Sequence, residues 1–249
     1  MIKAVFHLPY RALEGFARSL MVLTGLNLPI PDHSHMSRRA QTLTVEIPRQ
    51  AKTEPLHVVV DATGLKVFGE GEWKVRQHGA SKRRSWIKVH LAVDAEVKDA
   101  VGVMVTTEEW ADGEVFKDVI EQVAGPIAQI DGDGAFDTRE AYDVAAERDA
   151  RLVVPPRDNA VPCEEGHPRT QALAAIEAKG RRHWKEDSGY HQRSLAENAM
   201  YRLKQLFGDR VASRVFDAQV AEVHARVAAL NRITYLGMPV SVRVGRVTS

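Results

Sequence analysis

The sequence predicts an α/β fold built on a mixed sheet, with helices on its faces and a small N-terminal helical segment. Three observations predict it. Short apolar, β-branched runs fill the middle of the chain, as strands require. The apolar spacing then switches to a strand-helix-strand alternation, which marks a layered α/β sheet. The last third reads as helix. The 249 residues are 44% apolar and 27% charged, enough apolar material for a real core and unlike a disordered chain.

The elements follow in order. Pro9 precedes a helix over 10–24, with Leu13, Phe16, Leu20 and Leu23 spaced by three and four, and Gly25 suits its C-cap. The stretch Leu28-Pro29-Ile30-Pro31-Asp32 is a rigid linker, and Ser34 is an N-cap candidate for a short helix bearing Arg38 and Arg39. Two helices joined by a bend could form a helix-turn-helix; the plainer reading is an α-helical hairpin closing the domain. Residues 1–50 are therefore set apart as a helical segment from an α/β domain over 51–249. Leu56-His57-Val58-Val59-Val60 reads as a central strand ending at Asp61-Ala62-Thr63-Gly64. Ile87–Val93 alternates and reads as a half-buried strand, and Ala100–Val105 is a third. Short turns favour antiparallel pairing of these three. A helix over 113–123, a strand over 126–130, a helix capped by Asp137 or Thr138 and running to about Arg148, and a strand over 151–154 come next. Helices over 171–179, 191–207 and 218–230 complete the chain. Three antiparallel strands followed by strand-helix-strand is also the order of the ribonuclease-H-like fold.

Composition removes several function classes. Lys plus Arg is 34 and Asp plus Glu is 33, so bulk charge alone would not carry the chain to nucleic acid, although local basic patches can. The single cysteine, Cys163, excludes an intramolecular disulfide framework and a multi-cysteine zinc site, and fits a reducing, cytoplasmic setting. No run of 18 apolar residues marks a transmembrane helix, no signal-peptide core is visible, and no membrane partner is expected. His57 and His90 lie in strands and read as packed or edge residues, because no His-Glu-x-x-His zinc pattern is present. Trp110 and Trp184 read as core or rim aromatics.

Three acidic positions carry the functional argument. Asp61 follows one strand; Asp131 and Asp133 follow another, among glycines. Ligand and metal sites in α/β sheets gather at carboxyl ends of strands, although an Asp after a strand is also common turn chemistry. Glu197 adds a fourth carboxylate. On a helix counted from Tyr190 at about 100° per residue, Arg193, Glu197, Tyr201 and Lys204 share one narrow polar stripe. Leu195, Ala199, Leu203 and Leu206 would face the core. The bland account is a solvated face with an Arg193–Glu197 pair worth about 0.2–0.5 kcal/mol. The sharper account presents a carboxylate to metal, flanked by cations for phosphates. Two Mg²⁺ ions about 3.5–4 Å apart can clamp both oxygens of a phosphodiester displacement. Mg²⁺ takes hard oxygen ligands and keeps several waters, so a few carboxylates suffice. Between residues 66 and 88, Lys66, Lys74, Arg76, Lys82, Arg83, Arg84 and Lys88 face only Glu70 and Glu72, a local net charge of +5 interleaved with Trp73 and Trp86. Such a mixture suits nucleic acid. It also suits a solvated hairpin whose charges block edge pairing.

Together these residues resemble a known family. Tyr190, Arg193, Glu197 and Lys204 reproduce, with every gap correct, the Tyr-(2)-Arg-(3)-Glu-(6)-Lys signature of bacterial insertion-sequence transposases of the DDE type in the IS4/IS5 superfamily, most closely its IS5 family. Residues 60–66, Gly71-Glu72-Trp73-Lys74, residues 133–138, Pro155-Pro156-Arg157 and Leu236-Gly237-Met238-Pro239 look like further blocks of that family. The resemblance spans nearly the whole chain. It implies a ribonuclease-H-like catalytic domain over 51–249. It implies a metal-binding catalytic triad of Asp61, Asp133 and Glu197, with Asp131 as runner-up to Asp133. It further implies that Tyr190, Arg193 and Lys204 hold transposon-end DNA through its phosphates. The basic residues Lys66, Lys74, Arg76, Lys82, Arg83 and Arg84 join them as candidate DNA contacts. The implied cofactor is Mg²⁺, with Mn²⁺ as substitute. The implied partners are double-stranded DNA, as terminal inverted repeats and target, and a second copy of the chain when paired ends are held. Relatives carry further sequence before the point that matches Ile2–His7. That suggests a rival reading: a shortened, inactive DNA-binding remnant or regulator. A glycosyltransferase reading of Asp131-Gly132-Asp133 is remote, because three residues are too few to be specific.

Overall fold

The computed structural model describes residues 1–67 and 86–237. Five strands form one path: β1 (Leu56–Val67), β2 (Trp86–Asp94), β3 (Ala100–Thr107), β4 (Ile127–Asp131) and β5 (Arg151–Val153). Their order is β3-β2-β1-β4-β5. β1 pairs antiparallel with β2, and β2 with β3. β1 pairs parallel with β4, and β4 with β5. Three antiparallel strands followed by parallel additions on the far side of β1 is the ribonuclease-H-like arrangement expected from the sequence. A two-residue strand missed by pattern, β6 (Arg210–Val211), lies parallel to the far end of β1 through Lys66↔Arg210 and Val67↔Val211.

Helices cover both faces of the sheet. One layer holds α4 (Phe116–Glu121) and α5 (Arg139–Glu147). Its Phe116 and Ile120 pack with Phe136 against Val58, Val60 and Ile130 of the sheet, all buried. The other layer holds α7 (Ser194–Phe207) and α8 (Phe216–Leu236), packed against Leu65, Val89, Leu91, Val93 and Val103 through Met200, Leu203, Phe207 and Val227. This two-sided cover corrects the half-buried reading of β2: all its residues but Trp86 and Lys88 are buried. His90 is wholly enclosed, with Nε2 3.0 Å from Thr106 Oγ1.

Several boundaries differ from the sequence reading. β1 does not stop at Val60, because β2 accompanies it from Val58↔Asp94 to Lys66↔Trp86. Its parallel neighbour leaves much earlier, at Val59↔Asp131. Asp61 therefore sits inside a long strand, just beyond the point where β4 ends. The helix expected over 113–123 is a 3₁₀ turn (Asp112–Val115) leading into α4, as poor helix formers at Asp112-Gly113 would favour. Helix α6 (Pro168–Ser188) outruns its expected limits at both ends. Pro168 starts it, and it continues past a kink at Gly180, whose φ of 85° is not helical.

The N-terminal helices are α1 (Ile2–Val5), α2 (Tyr10–Thr24) and α3 (His33–Arg39). α2 ends on Gly25 in the left-handed conformation, as expected. The cap of α3 is Asp32 rather than Ser34: its carboxylate accepts from the Ser34 and His35 amides at 2.8 and 3.0 Å. Glu14 ties α2 to α3 by accepting the His33 amide at 2.9 Å. Residues 25–32 join the two helices, a longer link than the three- or four-residue turn of a helix-turn-helix. No residue of these three helices is buried. Among the described residues no helix is long and apolar enough to cross a membrane.

Candidate active site: carboxylates gathered on one guanidinium

β1 presents alternate side chains to opposite faces. Val58 and Val60 enter the layer of α4 and α5, so Asp61 points toward α7. The Asp61 carboxylate accepts from the Ala62 amide at 3.0 Å. Burial pushes its pKa up, and the charges of Asp133 and Glu197 push the same way, while the Ala62 amide and Arg193 oppose them. Those influences place the three carboxylates in one electrostatic neighbourhood.

Asp133 stands two residues beyond β4, at the cap of a 3₁₀ turn (Gly134–Phe136), where it accepts from the Ala135 amide at 2.8 Å. The turn is pinned by its apolar and polar neighbours. Phe136 is buried against Phe116, with ring centroids 5.4 Å apart. Gly132 lets the chain pass under that ring, since a Cβ there would meet Phe136 Cδ2 at 2.8 Å. From the loop after β5, the strand paired with β4, the Arg157 guanidinium donates to the carbonyls of Gly134 and Ala135, both at 2.8 Å. Asp137 closes the turn: it accepts the Arg157 amide at 3.0 Å and Arg169 Nε at 2.8 Å, the latter a nearly buried ion pair. From the sequence Asp137 was a candidate helix cap beside Thr138; Thr138 is the cap, and the part that Asp137 and Arg157 play in this turn was not foreseen. Their partners lie 20 or more positions away, where no local spacing could reveal them.

Asp131, the runner-up, sits differently. It is fully buried on β4, with Oδ2 2.8 Å from His57 Nε2 and Oδ1 accepting from Gln129 Nε2 at 2.8 Å. Both its oxygens are engaged by side chains, whereas the Asp133 carboxylate is half-buried and accepts from a backbone amide through Oδ1. His57, read as a packed or edge residue, is thus the partner of a buried carboxylate.

The signature helix is not one straight helix. Gly189, at a φ of 77°, breaks α6 from a 3₁₀ turn (Tyr190–Arg193), and α7 begins only at Ser194. Tyr190 consequently leaves the polar stripe. It is buried beside Trp184, ring centroids 5.9 Å apart, in a cluster with Val153. Burial raises the pKa of its hydroxyl, with Arg193 opposing and Asp133 adding. The core face of α7 is Ala196, Ala199, Met200, Leu203 and Phe207; Leu206, expected inside, is exposed. Glu197 and Tyr201 stay on the exposed side, with Lys204 half-buried two turns beyond Glu197.

Arg193 joins the parts. Its Nη1 lies 2.8 Å from Glu197 Oε1 and its Nη2 lies 3.9 Å from Asp61 Oδ1. Burial works against its charge, but Tyr190, Asp61, Glu197 and Asp133 together hold its pKa above the ordinary value. The oxygens supplied are the hard donors that a divalent cation prefers. As they stand they are gathered on a guanidinium, and among the described residues no three His, Cys, Asp or Glu side chains are grouped closely enough to hold a metal ion. Lys66, at the far end of β1, bonds Asp209 at 3.0 Å and lies 5.5 Å from the Trp86 ring. Lys74, Arg76, Lys82, Arg83 and Arg84 lie outside the described residues.

Residues 52–232 match a family model described as a transposase DDE domain, and residues 1–70 match a second model of the same description. Among solved structures, the chain is similar to a piggyBac transposase synaptic complex with hairpin DNA, at 11% identity and a TM-score of 0.42, over 72% of this chain and 46% of that one. It is also similar to the catalytic core domain of BIV integrase, at 11% identity and a TM-score of 0.27, over 61% and 85% of the two chains. A simian T-cell lymphotropic virus intasome in complex with PP2A regulatory subunit B56 gamma matches at 11% identity and a TM-score of 0.29, over 96% and 80%. The chain spans about half the length of the piggyBac chain it matches. The chain belongs to the transposase DDE domain family, of the IS4/IS5 class.

Proposed function

We propose that the protein is a DNA transposase of the IS5 family that cuts and joins insertion-sequence ends. The observation that carries this reading is the approach of Asp61 and Glu197, from β1 and α7, to one guanidinium, in a chain whose residues 52–232 match the transposase DDE domain. In this reading Asp61, Asp133 and Glu197 are the catalytic carboxylates and would hold divalent ions, Mg²⁺ with Mn²⁺ as substitute. Bound there, the ions supply positive charge to the phosphodiester and an activated attacking oxygen.

The chain's own residues then have separate tasks. The loop from Gly134 to Asp137, clamped by Arg157 and Arg169, fixes Asp133 at the cap of the turn beyond β4. Arg193 and Lys204 bind the phosphates of the transposon end, a role that suits a forked guanidinium and a point charge. Tyr190, held in its cluster, supports Arg193 from below. Water adds to the phosphorus at the element's end and the P–O3′ bond breaks, leaving a 3′-hydroxyl. That hydroxyl attacks a target phosphodiester, whose own 3′-oxygen departs. Residues 51–249 would carry this chemistry and residues 1–50 the recognition of terminal inverted repeats. Paired ends call for two copies of the chain during the reaction, which takes place in the bacterial cytoplasm on the nucleoid.

The test is an end-labelled duplex carrying the element's terminal repeat. Site-specific cutting in Mg²⁺ or Mn²⁺, abolished by a chelator, is the expected result. Binding with no cutting under any divalent ion would overturn the enzymatic reading.

A further inference from the structure

We propose that Arg193 and a divalent cation compete for the same carboxylates. The guanidinium holds the acidic site together until a metal takes its place, and its release frees the side chain for a DNA phosphate. This inference rests on the reading of Asp61, Asp133 and Glu197 as the metal-binding set.

Four observations carry it. Arg193 contacts Glu197 at 2.8 Å and Asp61 at 3.9 Å, so it spans two elements of the site rather than decorating one. The charge of Asp133 also bears on it. Its Nε is buried with no hydrogen-bond partner, so the present arrangement leaves the guanidinium incompletely satisfied. Its side chain is nonetheless a quarter exposed, which gives it a way out.

The electrostatics supply the driving force. Two carboxylates paired on one guanidinium, with the Asp133 charge adding, leave the site net negative, and a divalent ion relieves more of that than a single positive charge can. A guanidinium a few ångströms from a divalent ion on the same oxygens is repelled, and the carboxylate lone pairs to which it donated are taken. Once displaced, its fork of N–H donors matches a phosphate in two places. Metal loading and DNA binding then become coupled, and each strengthens the other by the same factor.

The test follows Mn²⁺ binding to the full chain without DNA, by the electron paramagnetic resonance signal of the free ion. Wild type, Arg193→Gln, Arg193→Lys and Asp61→Asn are compared. Arg193→Gln should bind Mn²⁺ more tightly than wild type, by about fivefold or more. Arg193→Lys should stay near wild type, because a cation remains, and Asp61→Asn should bind weakly. If Arg193→Gln binds no tighter while Asp61→Asn still weakens binding, competition is overturned and the metal site stands. If Asp61→Asn binds as wild type does, or neither binds, the site reading fails and takes the inference with it. Should Arg193→Gln lose its circular dichroism, the Arg193 Nε–Hε resonance of wild type gives the same answer. It should move as Mg²⁺ is added, and a resonance unmoved at saturating Mg²⁺ overturns the proposal.

Discussion

At the scale of single residues, the fold encloses one group whose titration should be visible in stability. His90 is wholly buried on β2, and burial pushes its pKa down to about 4 from 6.5, with the Asp112 carboxylate opposing and the Lys88 ammonium adding. Its Nδ1 has no hydrogen-bond partner and stands 3.7 Å from Asp112 Oδ1. Between these two pKa values the unfolded chain binds the extra proton and the folded chain does not. Stability from this group is therefore complete above the unfolded value and is lost as pH falls toward the folded one. Urea unfolding from about pH 7 down to about pH 4 should cost wild type about 2–3 kcal/mol more than His90→Gln, which cannot titrate. Parallel pH profiles for the two proteins would contradict the assignment.

Elements set the geometry of the site, and here the sequence was partly legible. The β-branched runs located β1 to β5, because strand patterning is local. The length of β1 was not legible: Asp61-Ala62-Thr63-Gly64 reads as a turn, and only pairing with β2 keeps it extended. The Tyr190 to Lys204 spacing identified the family but not the break at Gly189 that turns Tyr190 into the core. Arg193 and Glu197 kept their meeting because four residues still bring side chains together at a helix start. The Arg157 clamp was invisible, since its acceptors are 22 and 23 residues away. Removing it should loosen the turn that carries Asp133. Arg157→Ala should cost about 1–2 kcal/mol of stability from the lost bonds. End cutting should fall by about tenfold or more, since small misplacements of reacting groups are expensive. Equal losses of activity and of folded protein would reduce Arg157 to a structural role. Packing between β3 and α4 offers a second test. A Cβ on Gly102 would meet the Val119 carbonyl oxygen at 2.6 Å, backbone that cannot swing aside. Gly102→Ala should destabilise by about 1–3 kcal/mol in thermal or urea unfolding; an unchanged midpoint would contradict this packing.

Across the whole molecule, one sheet divides two kinds of work. The layer of α4 and α5 is a packed core against Val58, Val60 and Ile130. On the opposite face the α7 and α8 layer is equally apolar until the end of β4, where Asp61 replaces the aliphatic pattern and α7 offers Glu197. The parallel strand stops two residues short of Asp133, and its pairing with β1 ends at Val59, two residues before Asp61. The α/β order and the carboxylate positions were readable because they are local. The approach of Asp61 and Glu197 to Arg193 was not, because it depends on how α7 packs beside β1.

The central claim is that these carboxylates form one catalytic site, and Glu197 tests it most directly. It is the most exposed of the ion-paired carboxylates on Arg193, so its loss should leave the fold intact. End-labelled repeat DNA would be incubated in Mg²⁺ with wild type and with Glu197→Gln, after matched circular dichroism and DNA binding are established. The account predicts a loss of cutting of about a thousandfold or more, with binding retained. Full cutting by Glu197→Gln would contradict it.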